Sequence, residues 1–121
     1  MARIAVVEDN PDNRLLLQAL LEDRHELTEY ANGADALDAM RAAPPELVLL
    51  DISLPRMDGT EVLRRMRGDP VLAAVPVIAL TAHAMSGDRE RCLEAGASDY
   101  LSKPVDADRL FSMLRVWLYQ G

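Results

Sequence analysis

Short apolar runs rich in valine, isoleucine and leucine alternate along the chain with longer segments in which apolar residues recur at helical spacing. Runs that are apolar at every position are typical of strands buried on both faces, whereas the helical spacing is typical of amphipathic helices. The alternation of the two patterns predicts βαβ units, in which helices connect parallel strands. The predicted strands are 3–7, 27–30, 47–50, 77–80 and 100–101, and the predicted helices are 11–23, 34–43, 60–67, 86–95 and 106–119.

Residues that begin or end helices support these bounds. Asn10-Pro11 is suited to open the first helix, because asparagine is favoured as an N-cap and proline in the first turn. Pro44-Pro45 ends the second helix, Gly59 reverses the chain before the third, and Gly96 is placed to end the fourth in a left-handed conformation. The side chains expected to face the core from the first helix are those of Leu16, Ala19 and Leu20.

Strict alternation of strands and helices predicts one α/β domain over residues 1–121, with a parallel five-stranded sheet between two helical layers. The chain has 121 residues, half of them apolar, which is enough for one core. The pattern does not give the strand order. We take the order 2-1-3-4-5 from the flavodoxin-like (βα)5 class, which is the common solution for sheets of this kind.

The last predicted helix carries more apolar residues than one buried stripe needs. Leu110, Met113, Leu114 and Trp117 form the inward stripe, and further apolar side chains lie beside it. Either broader burial within the fold or a surface that binds a protein partner would explain this excess. The additional apolar residues are Phe111, Val116, Leu118 and Tyr119.

Acidic residues outnumber basic ones by 20 to 13, which gives a formal net charge of −7. This charge disfavours direct binding to nucleic acid or to an anionic membrane, and it favours cations and proteins as partners.

No apolar run approaches the roughly 20 residues of a membrane span, and the first residues do not resemble a signal peptide. The single cysteine, Cys92, forms no internal disulfide, as is typical of a reducing compartment, and we expect a cytoplasmic location.

Charged and polar residues follow four of the predicted strands. Glu8 and Asp9 follow the first strand, Asp51 the third, Thr81 the fourth and Lys103 the fifth. Ligands of open parallel sheets bind at the carboxyl ends of the strands, near the point where the strand order reverses. In the order 2-1-3-4-5 these four strands are neighbours, so we expect the residues to converge on one edge of the sheet.

Three carboxylates at one edge repel one another unless a cation lies among them. Oxygen ligands without a cluster of histidines or cysteines favour a hard ion such as Mg²⁺, which often also binds a phosphate oxygen. Lys103 adds a positive charge and Thr81 a hydroxyl donor, and together they would complete a phosphoryl site. Taken alone, Asp51 is equally typical of a turn or helix cap, and Glu8-Asp9, Thr81 and Lys103 are more typical of a helix start, a strand end and a solvated surface. The combination of all of them favours function.

Four segments together resemble the receiver domain of two-component response regulators, in order and in spacing over the whole chain. The stretch from Thr81 to Asp88 is also similar to receivers of hybrid histidine kinases and of single-domain regulators. The segments that carry the resemblance are E8-D9-N10, D51-I52-S53-L54-P55-R56-M57-D58-G59, T81-A82 and K103-P104.

The resemblance implies a role for each matching residue. Asp51 would accept the phosphoryl group. Asp9 and Asp51 would bind Mg²⁺ together with the backbone carbonyl of Ser53, and Glu8 would act on the metal through water. Thr81 would hold a phosphoryl oxygen.

The resemblance also assigns roles near the last strand. Lys103 would hold a phosphoryl oxygen, and the Lys103–Pro104 peptide bond would be cis. Tyr100 stands where the family has an aromatic switch residue, coupled to the hydroxyl of Thr81.

The implied protein is a signalling switch and not a turnover enzyme, because it would catalyse only its own phosphorylation and dephosphorylation. A sensor histidine kinase or a histidine phosphotransfer protein would supply the phosphoryl group. The signal would leave through protein contacts of the last strand and last helix.

Two other functions remain open from the sequence. The chain could be a degenerate receiver that binds partners without being phosphorylated. It could also be a Mg²⁺-dependent phosphohydrolase with an aspartate nucleophile, although Ser53 stands where the haloacid-dehalogenase group carries its second aspartate.

Overall fold

The computed structural model describes residues 2–82 and 87–118, and these form a single parallel sheet with helices on both faces. The strand order is β2-β1-β3-β4-β5, which confirms the predicted flavodoxin-like order. No helix in these two ranges is long and apolar enough to cross a membrane. The elements are β1 (Arg3–Val7), α1 (Pro11–Leu21), β2 (Glu26–Tyr30), α2 (Gly33–Ala42), β3 (Leu47–Asp51), α3 (Gly59–Arg67), β4 (Val77–Thr81), α4 (Asp88–Ala95), β5 (Asp99–Ser102) and α5 (Ala107–Leu118).

These bounds agree with the predicted ones to within two residues wherever both can be compared. The predicted start of the fourth helix at residue 86 and the predicted end of the last helix at residue 119 lie outside the described residues. Asn10 caps α1 through its side chain, and Gly96 ends α4 with a φ of 118°, both as predicted.

The sheet separates two hydrophobic clusters. Every position of β3 and of β4 is buried. Alternate side chains of each strand point to opposite faces, so Val48 and Leu50 pack with α2, α3 and α4, whereas Leu47 and Leu49 pack with α1 and α5. Burial on both faces explains why these strands are apolar throughout and why their polar residues stand at their ends.

The predicted inward face of α1 is wrong by one position. Leu17 and Leu21 are buried, whereas Leu16 is 39% exposed and Ala19 is also exposed; Leu20 is only half-buried. The leucine-rich segment contains two pairs at i, i+4 spacing, and either could face the sheet. Packing against the sheet fixes the rotation of the helix, and apolar periodicity alone does not distinguish the two pairs.

The apolar excess of α5 is divided between core and surface. Leu110 and Leu114 are buried against the sheet. Val116 is 51% exposed, and Tyr119 lies outside the described residues. Broader burial therefore explains most of the excess within α5. The half-buried residues that pack against the same cluster are Phe111, Met113, Trp117 and Leu118.

Gly59 has a different role from the predicted chain reversal. Its backbone is not in the left-handed region, and its amide donates to the carbonyl of Ile52 at 3.0 Å. A Cβ atom at this position would lie 2.5 Å from the carbonyl oxygen of Asp51 and 2.6 Å from the Cα of Ile52. Glycine is needed because the start of α3 lies directly against the end of β3.

The surroundings of His25 predict that folding is sensitive to pH. It is buried, and its Nδ1 accepts a hydrogen bond from the Ala2 amide at 3.2 Å, which requires the neutral ring. Burial, helped by the charge of Arg24, lowers the pKa of His25 below its ordinary value of 6.5. The stability contributed by neutral His25 is therefore present above that ordinary value and is lost as the pH falls through the lowered pKa of the folded state.

We therefore expect the free energy of unfolding to fall more steeply between about pH 7.5 and about pH 5 in the wild type than in His25→Gln. Glutamine can still accept the hydrogen bond but does not titrate. Urea unfolding of both proteins at the two pH values measures the difference. Equal losses in the two proteins would show that His25 contributes nothing to this dependence.

Candidate functional site

The strand order brings the predicted site residues to the carboxyl edge of the sheet. Glu8 and Asp9 follow β1, Asp51 and Thr81 are the last residues of β3 and β4, and Lys103 follows β5. Glu8, Asp51 and Thr81 are buried, Lys103 is half-buried and Asp9 is exposed. A site formed in this way is open to solvent on the Asp9 side and closed towards the core.

The carboxylates of Glu8, Asp9 and Asp51 form a cluster. One oxygen from each lies within 4.8 Å of the others, which is close enough for a single ion to contact all three. Two of the three residues are buried, so water screens their mutual repulsion poorly. The convergence predicted from the sequence is therefore present.

Lys103 supplies a balancing charge. Its Nζ lies 2.7 Å from Glu8 Oε1 and 3.2 Å from Asp51 Oδ2, so one ammonium bridges the two buried carboxylates. Its backbone amide donates to the carbonyl of Thr81 at 2.7 Å, which fixes the chain beside β4. The Lys103–Pro104 peptide bond is cis, as the resemblance implied.

The loop after β3 holds the side chain of Asp51. The Ser53 amide donates to Asp51 Oδ1 at 2.9 Å, while Lys103 contacts the other carboxylate oxygen. Gly59 lies against the backbone carbonyl of the same aspartate. The carboxylate is therefore fixed from both sides.

The buried charges shift one another's pKa values. Burial and the neighbouring Asp51 raise the pKa of Glu8 to about 6, against the opposing effect of Lys103. Burial acts to raise the pKa of Asp51, but hydrogen bonds with Glu8, the Ser53 amide and Lys103 outweigh it and lower the pKa. Burial acts to lower the pKa of Lys103, and its two carboxylate partners raise it. Asp51 is consequently ionised at neutral pH, in the form that a nucleophile requires.

Thr81 and Tyr100 lie on neighbouring strands and on the same face of the sheet. Tyr100 pairs in register with Ala79, and Thr81 is two residues further along β4. Tyr100 is half-buried against the cluster that contains α3 and α4, and the guanidinium of Arg89 lies 5.8 Å from the centre of its ring. The adjoining segment 83–86, which contributed to the resemblance, lies outside the described residues.

Sequence reasoning did not identify Arg14 as part of this site. Its Nη1 donates to the backbone carbonyl of Glu8 at 2.7 Å. Its place in the second turn of the helix that follows Glu8-Asp9 was the available signal, because a side chain there can reach back to the strand end. The sequence indicated Gly59 only as a glycine that reverses the chain before α3. Its close approach to Asp51 could not be predicted, because it depends on how α3 packs against β3.

Comparison with known proteins places this fold and edge site in one class. Residues 4–115 match the family model of the response regulator receiver domain. The chain belongs to this family, and it is a receiver domain of two-component signalling. Receiver domains are signalling domains and not classical enzymes, and they pair with histidine kinases or phosphotransfer proteins.

Individual relatives include both stand-alone regulators and parts of large kinases. The chain is 40% identical over 116 residues to the polar-differentiation response regulator DivK of Brucella anthropi, covering 95% of this chain and 94% of DivK. It is 39% identical over 119 residues to the sensor histidine kinase GacS of Pseudomonas protegens, covering 95% of this chain but only 13% of the kinase.

A solved structure shows the same architecture. The receiver domain of the sensor histidine kinase PA1611 from Pseudomonas aeruginosa, with magnesium coordinated in its active-site cleft, matches with a TM-score of 0.91 at 38% identity. The match covers 98% of both chains.

Proposed function

We propose that residues 1–121 form a receiver that accepts a phosphoryl group on Asp51 from a histidine kinase or histidine phosphotransfer protein, with the help of Mg²⁺. The observation that carries the proposal is the position of Asp51. Its carboxylate is buried at the sheet edge, held by the Ser53 amide and Lys103, and lies in a cluster with two further carboxylates. Its lowered pKa keeps it ionised at neutral pH.

The donor atoms of this cluster fit Mg²⁺. They are carboxylate oxygens only, which hard cations prefer, and they lie close enough to share one ion. Asp9 and Asp51, with the backbone carbonyl of Ser53, would hold the ion directly, and Glu8 would act through a water molecule. When bound, the ion supplies positive charge that offsets the charge of the phosphoryl oxygens. The magnesium in the PA1611 receiver supports the same choice of ion.

The transfer requires one bond to form and one to break. An oxygen of the Asp51 carboxylate attacks phosphorus in line, and the bond between phosphorus and the donor's histidine nitrogen breaks. Lys103 shifts from Asp51 to a phosphoryl oxygen, and Thr81 donates its hydroxyl to another. The product is an acyl phosphate, which water later hydrolyses on the protein itself. The domain therefore catalyses only its own phosphorylation and dephosphorylation.

The two acidic residues after β1 should differ in their contribution to metal binding. Asp9 is exposed and has no ion pair in the described part of the chain, whereas Glu8 is buried and paired with Lys103. We expect Asp9→Ala to weaken Mg²⁺ binding more than Glu8→Ala does. Isothermal titration calorimetry of both variants and the wild type measures this, and equal small effects would contradict the assignment of direct and indirect ligands.

Phosphorylation would reach the surface through Thr81 and Tyr100. The phosphoryl group draws the Thr81 hydroxyl inward, which vacates space that the ring of Tyr100 can enter. Only the difference in contacts between the two states moves the equilibrium, and couplings of about 1–3 kcal/mol are typical. The altered surface would include Arg109 and Phe111, and a downstream protein would bind β5 and α5.

Beryllofluoride, a phosphoryl mimic, tests this coupling. We expect it to produce large NMR shifts for residues of β5 and α5 in the wild type and much smaller shifts in Thr81→Ala. Shifts at Asp51 itself report that the mimic has bound in both proteins. Identical shifts on β5 and α5 would show that Thr81 does not connect the site to this surface.

The proposal includes a cytoplasmic location and no direct contact with nucleic acid. Both expectations rest on the sequence: the lone cysteine suits a reducing compartment, and the net charge of −7 opposes binding to a polyanion.

A further inference from the structure

The backbone carbonyl of Glu8 lies just beyond the paired part of β1. The last paired residue of β1 is Val7, which stands opposite Tyr30 of β2 and Leu50 of β3. The Glu8 amide still donates to the carbonyl of Tyr30 at 3.0 Å, but the chain then turns away into α1. The backbone carbonyl of Glu8 therefore needs a hydrogen-bond donor from outside the sheet.

Arg14 provides that donor. Its Nη1 lies 2.7 Å from the Glu8 carbonyl oxygen, and its side chain is half-buried. A hydrogen bond from a charged guanidinium is stronger than one between neutral groups. Asn10 fixes the start of α1, the helix that carries Arg14. Its side chain accepts a hydrogen bond from the Asp12 amide at 2.8 Å, and its backbone carbonyl accepts one from the Arg14 amide at 3.1 Å.

This contact holds the peptide group that joins the two neighbouring acidic residues, Glu8 and Asp9. Glu8 is buried, with its side chain directed inward, and Asp9 is exposed, so the two side chains lie on opposite sides of the peptide group that Arg14 holds. The Glu8 carboxylate lies 2.7 Å from the Nζ of Lys103. One oxygen each of Glu8 and Asp9 lies within 4.8 Å of an oxygen of Asp51. Because the Cα atoms of both residues flank this peptide, its rotation would move their carboxylate oxygens relative to Asp51.

We propose that Arg14 is a positioning residue for the cation site, acting through the Glu8 carbonyl without touching the ion. This inference rests on the proposed function, because it assumes that the three carboxylates bind Mg²⁺. It assigns a specific task to a residue of α1 that lies outside the acid, threonine and lysine positions of the site.

The test compares Arg14→Met with Arg14→Lys. Methionine keeps much of the aliphatic packing and removes every donor, whereas lysine keeps a charged donor. Arg115→Met is the matched control, since it removes the same charge from an exposed position of α5 in a cleft shared with Arg24 and His25. Calorimetry with Mg²⁺ alone gives the affinity, thermal unfolding without metal reports the fold, and the ¹³C shift of the Glu8 carbonyl reports the hydrogen bond.

We expect Arg14→Met to lower Mg²⁺ affinity about tenfold, at the lower end of the range for groups that orient metal ligands. The Glu8 carbonyl shift should move in the metal-free protein, Arg14→Lys should regain part of the affinity, and Arg115→Met should bind as the wild type does. Wild-type affinity in Arg14→Met would overturn this inference alone. Failure of the wild type to bind Mg²⁺ would overturn the proposed function as well.

Discussion

Asp51→Asn is expected to abolish phosphorylation of the chain by acetyl phosphate in the presence of Mg²⁺. The substitution keeps the size of the side chain but replaces the nucleophilic oxygen with an amide group, which does not attack phosphorus. It also removes the buried negative charge that Lys103 contacts at 3.2 Å. Mass spectrometry of the intact protein measures the result: the wild type should gain one phosphoryl group with Mg²⁺ and none in EDTA.

Asp58→Asn is the matched control for this experiment. Asp58 is exposed, belongs to the same loop and caps α3, a role that asparagine fulfils equally well. The Asp58→Asn variant should gain the phosphoryl group to the same extent as the wild type. Labelling of Asp51→Asn at the wild-type rate would refute the acceptor assignment, and no labelling of any of the three proteins would favour a degenerate receiver.

Gly59→Ala is expected to lower the free energy of unfolding by about 3 kcal/mol, at the upper end for an overpacked interior. The added Cβ would lie 2.5 Å from the Asp51 carbonyl oxygen and 2.6 Å from the Ile52 Cα, and backbone atoms cannot move away as a flexible side chain can. The melting temperature should fall by roughly 10 °C. Because the clash is with Asp51 itself, labelling by acetyl phosphate should also slow.

Gly68→Ala separates this effect from the general effect of replacing a glycine. Gly68 follows α3 with a φ of −85°, and a Cβ there would meet its nearest atoms at 3.5 and 3.8 Å, which is ordinary contact. This variant should be more stable than the wild type by about 0.5 kcal/mol, because alanine restricts the unfolded chain. Equal stabilities of the two variants in urea unfolding would show that the start of α3 adapts to the extra methyl group.

The elements and the candidate site residues could be predicted from the sequence because both are marked at strand ends, whereas the strand order came from the fold class. A strand buried on both faces is apolar until it leaves the sheet, so Asp51 and Thr81 mark the ends of β3 and β4 by their polarity alone. Once the strand order is known, those ends lie side by side. The Lys103–Pro104 cis bond came from family resemblance and not from any local pattern.

Features that depend on how elements pack could not be predicted. Leu16 and Leu17 are chemically identical, and only the rotation of α1 against the sheet decides that Leu17 is the buried one. Gly59 resembles an ordinary loop glycine until α3 is placed beside β3. The position of Arg14 in α1 shows that its side chain could reach back towards the strand end, but not which carbonyl it contacts, because every residue offers that acceptor.

The ion pair between Glu8 and Lys103 joins residues 95 positions apart in the chain. During synthesis Asp51 leaves the ribosome roughly fifty residues before the lysine that balances it, and Glu8 leaves earlier still. The two carboxylates can be buried together with their balancing charge only after β5 has paired with β4. We therefore expect a copy cut before Lys103 to leave Glu8 and Asp51 without their balancing charge, and to lose the arrangement of the sheet edge as a whole and not by degrees.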